Sequence, residues 1–198
     1  METCSTIILA SQSSRRRYLM KQAGIEFRVI PSRCEEHIDP ALSPADCVAQ
    51  LALQKASDIA SLHPDAWVIG ADTIVVIDGT ILGKPSSKAE AKTMLRRLSG
   101  RTHQVLTGFA LVNQAGERTI GRTVSTDVLF KPLSDDEIAW YIGTDEPFDK
   151  AGAYALQGIG AFMIKAVHGS YTNVIGLPIC ELIETLAHEG LIRFSHIP

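Results

Sequence analysis

The sequence lacks several features that would place it in a specialised class of protein. Its four cysteines form no C-x-x-C pair and no metal-ligand spacing, which predicts reduced thiols and argues against a disulfide framework. No apolar run is long enough to span a bilayer. The formal net charge is −3, from 22 acidic and 19 basic side chains. Because this balance gives no broad positive field, stable binding to nucleic acid or to an anionic membrane is not expected.

Common catalytic motifs are missing as well. The histidines show neither an H-x-x-x-H nor an H-E-x-x-H spacing, so a zinc site is not predicted. Neither Ser13 nor Ser170 lies in a G-x-S-x-G turn, which argues against a serine hydrolase. The G-x-x-x-x-G-K-[ST] signature of a P-loop is also absent. Any chemistry must therefore come from a different set of residues.

The bulk composition is that of an ordinary globular protein. Hydrophobic residues make up 45% and charged residues 21% of 198 positions, enough to build a real core. There is no internal repeat, low-complexity tract or long linker, so we expect a single domain over 1–198, with at most two small lobes. The first residues do not form a basic region followed by an apolar segment, and the expected location is the cytoplasm.

Hydrophobic periodicity and turn residues predict alternating strands and helices. The predicted strands are 6–10, 27–31, 67–76, 104–113, 119–130 and 161–167. The predicted helices are 15–24, 43–62, 87–98, 134–142 and 177–189. Asp78-Gly79 and the segment 114–117 are typical of hairpin turns. Interleaved strands and helices with hairpins indicate an α/β fold with a mixed sheet flanked by helices.

Asp72 is the most informative residue, because it interrupts the apolar strand predicted over 67–76. A carboxylate inside a buried strand needs a partner or a cation. It is either a satisfied structural acid at a strand bend or a group that faces a cleft and does chemistry.

The segment 11–16, SQSSRR, lies between the first predicted strand and the first predicted helix. Unpaired backbone N–H groups at a helix start favour an anion, and serine hydroxyls and arginine forks match phosphate oxygens. The alternative is a capped helix with a solvated basic first turn. Cations oppose the helix dipole at that end, so the sequence favours a phosphate site.

Further acids and lysines fit the same chemistry. Glu36 and Asp72 are hard oxygen ligands suited to Mg²⁺ or Mn²⁺, although Glu36 is also an ordinary surface acid. Lys84 precedes a proline that holds it extended, where an ammonium can neutralise phosphoryl charge. Lys55 lies inside a predicted helix, where a solvated face is the usual outcome. Lys150 follows an acid, and a local salt bridge is its alternative role.

Seven motifs in order along the chain resemble the Maf family of nucleoside triphosphate pyrophosphatases. They are LASQSSRR at 9–16, EE at 35–36, GADT at 70–73, GKP at 83–85, LSGRTHQVLTG at 98–108, DKAGAYALQG at 149–158 and GSYTNVIGLP at 169–178. The resemblance implies two lobes around a deep cleft, as in the inosine triphosphatases. It also implies hydrolysis of a nucleoside triphosphate between the α and β phosphates, a divalent metal, a house-cleaning role and a homodimer.

The resemblance also implies roles for individual residues. Asp72 matches the catalytic acid, and Glu36 and Asp72 match the metal-binding acids. Contacts to the phosphates are implied for Ser13, Arg15, Arg16, Lys55 and Lys84. Arg15 also matches, together with Thr73 and Gln157, the positions that mark the subfamily that prefers dTTP and UTP. Another branch of the family prefers methylated GTP and differs at these positions. The amide of Gln157 suits a pyrimidine edge because it offers both a donor and an acceptor.

Two positions depart from the family pattern. Ser14 stands where proline is usual; we expect serine to cap the helix instead. Ala155 stands where glycine is common, and alanine would be strained if that position required a positive φ. A different class of function also stays open, because the family has been linked to nucleotide-dependent regulation of cell division and septum formation.

Overall fold

The computed structural model describes residues 1–35 and 41–194. Its strands are β1 (Glu2–Thr3), β2 (Ile7–Leu9), β3 (Arg28–Val29), β4 (Trp67–Ile77), β5 (Thr80–Leu82), β6 (Thr102–Asn113), β7 (Arg118–Phe130), β8 (Ile164–His168) and β9 (Ile192–Arg193). Its α-helices are α1 (Ser14–Gln22), α2 (Pro44–Ala60), α3 (Lys88–Leu98), α4 (Asp135–Ile142), α5 (Tyr171–Ile175) and α6 (Ile179–His188). Short 3₁₀ turns cover Glu146–Asp149, Ala151–Ala153 and Ile159–Met163.

The main sheet is mixed, as predicted. Its strand order is β3-β2-β4-β6-β7-β8, and β5 also pairs with β4. β2 runs parallel to β3 and β4, whereas the other pairs in this sheet are antiparallel. Parallel β2 and β4 are connected through α1, β3 and α2, whereas short hairpins join the antiparallel pairs β4–β5 and β6–β7.

A gap in the sheet lies along one edge of β4. β6 pairs with β4 over residues 68–76 and fills the other edge. β2 therefore pairs with residues 67–69 and β5 with residues 75–77 on the remaining edge. Residues 70–74 have no strand on that edge within the described part of the chain. Asp72 and Thr73 lie in this gap, and because strand side chains alternate they point to opposite faces of the sheet.

Helix α2 packs unusually close to the sheet because two glycines face it. A Cβ built on Gly70 would lie 2.2 Å from the Ala52 carbonyl oxygen, and one on Gly108 would lie 2.4 Å from the Val48 carbonyl oxygen. Gly108 is the cross-strand partner of Asp72. Small residues on both surfaces thus bring α2 against β4 and β6 and place Lys55 beside Asp72.

Two large apolar clusters form the core on different parts of the sheet. One packs α3 and α4 against the β4–β7 strands and includes Leu95, Phe130 and Tyr141. The other packs α1 and α6 around Leu9 and Phe109. Within the described residues, no helix is both long and apolar enough to cross a bilayer. These elements confirm the predicted α/β fold with helices flanking a mixed sheet.

Several local predictions were wrong or incomplete. The strand predicted at 161–167 begins three residues later, because a 3₁₀ turn occupies Ile159–Met163. Helix α5 was not predicted, and Ser170 caps it by accepting a hydrogen bond from the Asn173 backbone. The ribbon of β1 and β9 was not predicted, because strands of two residues have too little pattern to recognise.

Ser14 does not cap helix α1. The cap is Ser13, whose side chain accepts a hydrogen bond from the Arg16 backbone, and Ser14 is the first helical residue. The first helical position is where proline is tolerated best. Serine therefore replaces proline at a position where it keeps the backbone N–H that proline lacks.

Candidate functional site

A cavity of about 800 Å³ opens at the gap in β4. Its walls come from the start of α1, from α2, from the middle of β4, from the turn after β5 and from the segment after α4. The predicted site residues that line it are Ser13, Arg15, Arg16, Lys55, Asp72, Thr73, Lys84 and Gln157. Glu36 lies outside the described residues. The structure thus brings together every predicted site residue that it describes.

Asp72 forms an ion pair with Lys55 inside the cavity. The Lys55 ammonium donates to Asp72 Oδ1 at 2.7 Å, and each side chain is only 15% exposed. Lys55 is therefore not on a solvated face, because the close packing of α2 turns it toward the strand. Asp72 has an ion-pair partner and also lines the cavity, so both alternatives considered for this acid are correct.

Asp72 can also serve as one ligand of a divalent cation. Mg²⁺ is usually held by one or two carboxylates together with waters and substrate phosphates. Lys55 uses Oδ1 of Asp72, and no described residue donates a hydrogen bond to Oδ2. Within residues 1–35 and 41–194, no group of three His, Cys, Asp or Glu residues is arranged to hold a metal. The donors present fit a cation shared with a phosphate, and the role of Glu36 as a second ligand stays a prediction.

The start of helix α1 forms another wall of the cavity. Ser11 Oγ accepts from the Ser13 backbone N–H at 3.2 Å, and Ser13 Oγ accepts from the Arg16 backbone N–H at 3.4 Å. In the described part of the chain, the backbone N–H groups of Ser14 and Arg15 have no protein acceptor. Unpaired N–H groups at the positive end of a helix dipole attract an anion.

Arg16 joins three segments of the site. Its guanidinium donates to the Gly176 carbonyl at 2.8 Å, to Thr73 Oγ1 at 3.1 Å and to Ser11 Oγ at 3.3 Å. The planar fork fixes its orientation through these separate directions. Arg16 therefore also fixes the relative positions of α1, β4 and the turn at Gly176 that ends α5, which we call the α5 turn. The sequence did not reveal this role.

The other cations lie around the mouth of the cavity. Arg15 pairs with Asp149 at 3.2 Å, and Lys150 Nζ donates to the Glu146 carbonyl at 2.7 Å and to the side chain of Asp149. The local salt bridge considered for Lys150 is thus present. Lys84 is exposed, and no described residue forms a hydrogen bond or ion pair with it.

Gln157 is exposed on a loop that Glu146 holds. Glu146 Oε1 accepts from the Tyr141 hydroxyl at 2.9 Å and the Gly160 N–H at 2.7 Å, and Oε2 accepts from the Ile159 N–H at 2.9 Å. Burial raises the pKa of Glu146, but these donors and the Lys150 charge outweigh it and lower the pKa below its ordinary value. The carboxylate therefore stays ionised and acts as the anchor of the loop.

The strain considered for Ala155 does not arise. Ala155 does not have a positive φ, whereas Ala153 does, at 61°. A positive φ in a residue with a Cβ is uncommon and costs conformational energy. The unusual backbone of this motif is therefore two residues earlier than the family comparison suggested.

A buried aromatic group supports the cavity floor. His103 Nε2 lies 2.8 Å from the hydroxyl of Tyr154, which lines the cavity, and both rings pack edge-to-face with Phe130. Burial lowers the pKa of His103 to about 4, so the imidazole is neutral at physiological pH. His103 was not singled out from the sequence, because a lone histidine in a strand carries no spacing signal.

Residues 6–189 match the family model described as Maf-like protein. This chain belongs to the Maf family. The dTTP/UTP pyrophosphatase of Syntrophus aciditrophicus (strain SB) is 50% identical over 189 residues, which cover 96% of this chain and 92% of that protein. The dTTP/UTP pyrophosphatase of Geobacter metallireducens (strain ATCC 53774 / DSM 7210 / GS-15) is 49% identical and covers 95% and 98%. The membership inferred from the motifs is therefore confirmed.

A likeness to a solved structure is also present. The HAM1 protein from Coxiella burnetii aligns with 64% of this chain and 73% of its own, at 18% identity and a TM-score of 0.46.

Proposed function

We propose that this chain is a metal-dependent nucleoside triphosphate pyrophosphatase that hydrolyses dTTP and UTP between the α and β phosphates. The products are the nucleoside monophosphate and pyrophosphate. The observation that carries the proposal is a single cavity lined by a buried Asp72–Lys55 pair, by the start of α1 and by Arg15, Arg16 and Lys84. The names of relatives that are about half identical over nearly the whole chain support the same activity.

The cations suit a polyphosphate. The free N–H groups of Ser14 and Arg15 provide donors at a helix start, and Lys84 provides an exposed charge that lines the cavity. Preorganised positive groups are most effective where negative charge grows in the transition state. We assign the triphosphate to this side of the cavity.

Asp72 is the group best placed to act on water. A carboxylate within reach of a bound water can accept its proton during attack on phosphorus. Lys55 holds Asp72 Oδ1 and leaves Oδ2 open to the cavity, which fixes the orientation of the acid. Asp72, with Glu36 as the predicted second ligand, would hold a divalent cation, which would supply charge neutralisation and a more acidic water.

We assign binding of the nucleobase to Gln157, Thr73 and Arg15, which line the same cavity.

We also propose that the protein is a homodimer in the cytoplasm, where it removes unwanted nucleotides. The resemblance supports the dimer. The four free cysteines are usual in a reducing compartment. Light scattering during size-exclusion chromatography distinguishes a dimer from a 21.5 kDa monomer.

The activity is tested by incubating the protein with Mg²⁺ or Mn²⁺ and dTTP, UTP, CTP, GTP, ATP or 7-methyl-GTP, and resolving the products. We expect the monophosphate and pyrophosphate from dTTP and UTP. Release of orthophosphate would contradict the site of cleavage, and turnover of 7-methyl-GTP alone would contradict the base preference. Binding with no turnover of any nucleotide would favour a nucleotide-dependent regulator of cell division.

Asp72→Asn tests the proposed catalytic acid. The amide keeps the shape of the side chain but cannot accept the proton of water, so kcat should fall about 10²-fold or more. Asp65→Asn is the matched control, because Asp65 is exposed and does not line the main cavity. Calorimetry with a non-hydrolysable UTP analogue should show that Asp72→Asn still binds nucleotide. A variant with wild-type kcat would contradict the assignment.

A further inference from the structure

The buried hydroxyl of Thr107 lies behind Thr73 and does not line the cavity. Thr73 and Thr107 are cross-strand partners, and their Oγ1 atoms are 2.9 Å apart. Thr107 Oγ1 also lies 3.2 Å from the Asn173 carbonyl oxygen. Thr73 borders the cavity, whereas Thr107 is fully buried and reaches no ligand itself.

The direction of these hydrogen bonds follows from counting hydrogens. A threonine hydroxyl has one hydrogen to donate, and a carbonyl oxygen can only accept. If Thr107 donates to the Asn173 carbonyl, it must accept from Thr73, so the Thr73 hydrogen points into the protein. Arg16 Nη2 donates to Thr73 Oγ1 at 3.1 Å, and this hydrogen bond occupies one of the two lone pairs of the Thr73 oxygen.

The opposite arrangement leads to the same result for Thr73. If Thr107 donates to Thr73, the remaining acceptor for the Thr73 hydrogen among these groups is the Gly176 carbonyl at 3.4 Å. In both arrangements the Thr73 hydrogen is bonded within the protein. Only the first arrangement, in which Thr73 donates to Thr107 and Thr107 donates to the Asn173 carbonyl at 3.2 Å, leaves Thr73 a lone pair for a ligand. Its contacts are also the shorter ones, because the second arrangement needs the 3.4 Å contact to Gly176.

We propose that Thr107 is a specificity-determining positioning residue, which takes up the hydrogen of Thr73 so that Thr73 presents the cavity with a hydrogen-bond acceptor. A ligand group that meets Thr73 must then bring an N–H or O–H donor. This inference rests on the proposed function, under which the donor is the imide N–H of uracil or thymine. Cytosine has a lone pair at the same ring nitrogen and is disfavoured there, because two acceptors face each other.

Thr107→Val tests the inference, because valine has nearly the same shape and no hydroxyl. The Thr73 hydrogen then has only the distant Gly176 carbonyl within the protein and can turn to a lone pair on the ligand. We expect the ratio of kcat/KM for UTP to that for CTP to fall about tenfold. The separate variant Thr107→Ser keeps the hydroxyl, so its ratio should stay within about twofold of the wild-type ratio.

Thr126→Val is the matched control. Thr126 is also a buried strand threonine with two hydrogen bonds, accepting from Asn173 Nδ2 at 3.0 Å and donating to the Ser170 carbonyl at 3.1 Å. Thr126 binds the side-chain amide of Asn173 and not Thr73, whereas Thr107 binds the Asn173 carbonyl, so the loss of the Thr126 hydroxyl should leave the UTP-to-CTP ratio unchanged within about twofold even where stability falls. Calorimetric binding of inorganic pyrophosphate should be unchanged in Thr107→Val, because the phosphate side of the cavity is not altered.

The outcomes separate the two proposals. No turnover of UTP by the wild type would overturn the proposed function. Equal turnover of UTP and CTP by the wild type would overturn the inference alone. It would also be overturned if Thr107→Val kept the wild-type ratio, or if Thr126→Val lowered it equally. Should Thr107→Val not fold, Thr107→Ala removes the same hydroxyl with less bulk, and the same expectations apply.

Discussion

Adjacent residues in the gap of β4 contact different parts of the site. Asp72 pairs with Lys55 of α2, whereas Thr73 bonds to Arg16 of α1 and to the carbonyl of Gly176. Strand geometry sends neighbouring side chains to opposite faces, and the missing strand lets both reach one cavity. A short motif can in this way provide both the proposed catalytic acid and a proposed contact for the nucleobase.

His103 makes a prediction about pH at the residue scale. Its folded-state pKa of about 4 lies below the ordinary 6.5 because the ring is buried. Below pH 6.5 the unfolded chain binds a proton that the folded chain does not, so stability is full above that pH and falls toward pH 4. The loss from this group should reach about 2–3 kcal/mol near pH 4.5.

The measurement is the free energy of unfolding in urea at about pH 7 and about pH 4.5, for the wild type and His103→Gln. The variant should lose less stability between the two pH values, because glutamine has no proton to gain. His168→Gln, at an exposed strand position, should match the wild type. Equal pH dependence in all three proteins would show that His103 is not protonated on unfolding in this range.

At the scale of elements, the position of α2 sets the geometry of the acid. Gly70 and Gly108 remove the side chains that would separate the helix from the sheet, and Ala52 and Ala56 do so from the helix side. At this distance Lys55 Nζ lies 2.7 Å from Asp72 Oδ1. The helix is thus part of the active geometry as well as of the core.

Gly108→Ala should therefore be destabilising. The new methyl would meet the backbone of Val48 at 2.4 Å, which no rotamer change relieves, so we expect a loss of about 1–3 kcal/mol in unfolding free energy and a lower kcat. Gly121→Ala is the matched control, because it is also in a strand and its Cβ would have nothing within 4 Å. Denaturant unfolding compares them, and equal stabilities would mean that α2 can move away without cost.

At the scale of the whole molecule, the cavity depends on segments that are distant in sequence. Arg16 of α1, Lys55 of α2, Asp72 of β4 and Gln157 after α4 meet only in the folded chain. Both large core clusters contribute elements to these walls. Binding of a nucleotide should therefore stabilise the fold as a unit.

Nucleotide-dependent stabilisation is the prediction at this scale. A non-hydrolysable UTP analogue at about 100 times its Kd should add about 2.7 kcal/mol, which corresponds to a rise in Tm of roughly 5–10 °C. Arg16→Met should reduce the rise strongly, because it removes the bonds that hold α1 to β4 and the α5 turn. Scanning calorimetry measures both, and an unchanged Tm with the analogue would argue against a nucleotide site in this cavity.

The sequence by itself determined the alternating elements, the mixed sheet and the family, because periodicity, turn residues and ordered motifs are local signals. It also identified Asp72 and the arginines at the start of α1, since charge inside an apolar strand or at a helix start conflicts with its surroundings, whereas Lys55 was implicated only by the family resemblance. Only the tertiary structure decided that Lys55 faces Asp72, that Arg16 bonds to both β4 and the α5 turn, and that Thr107 lies behind Thr73. These relations depend on how closely α2 packs and on which strands are neighbours, and such long-range contacts leave no pattern in the local sequence.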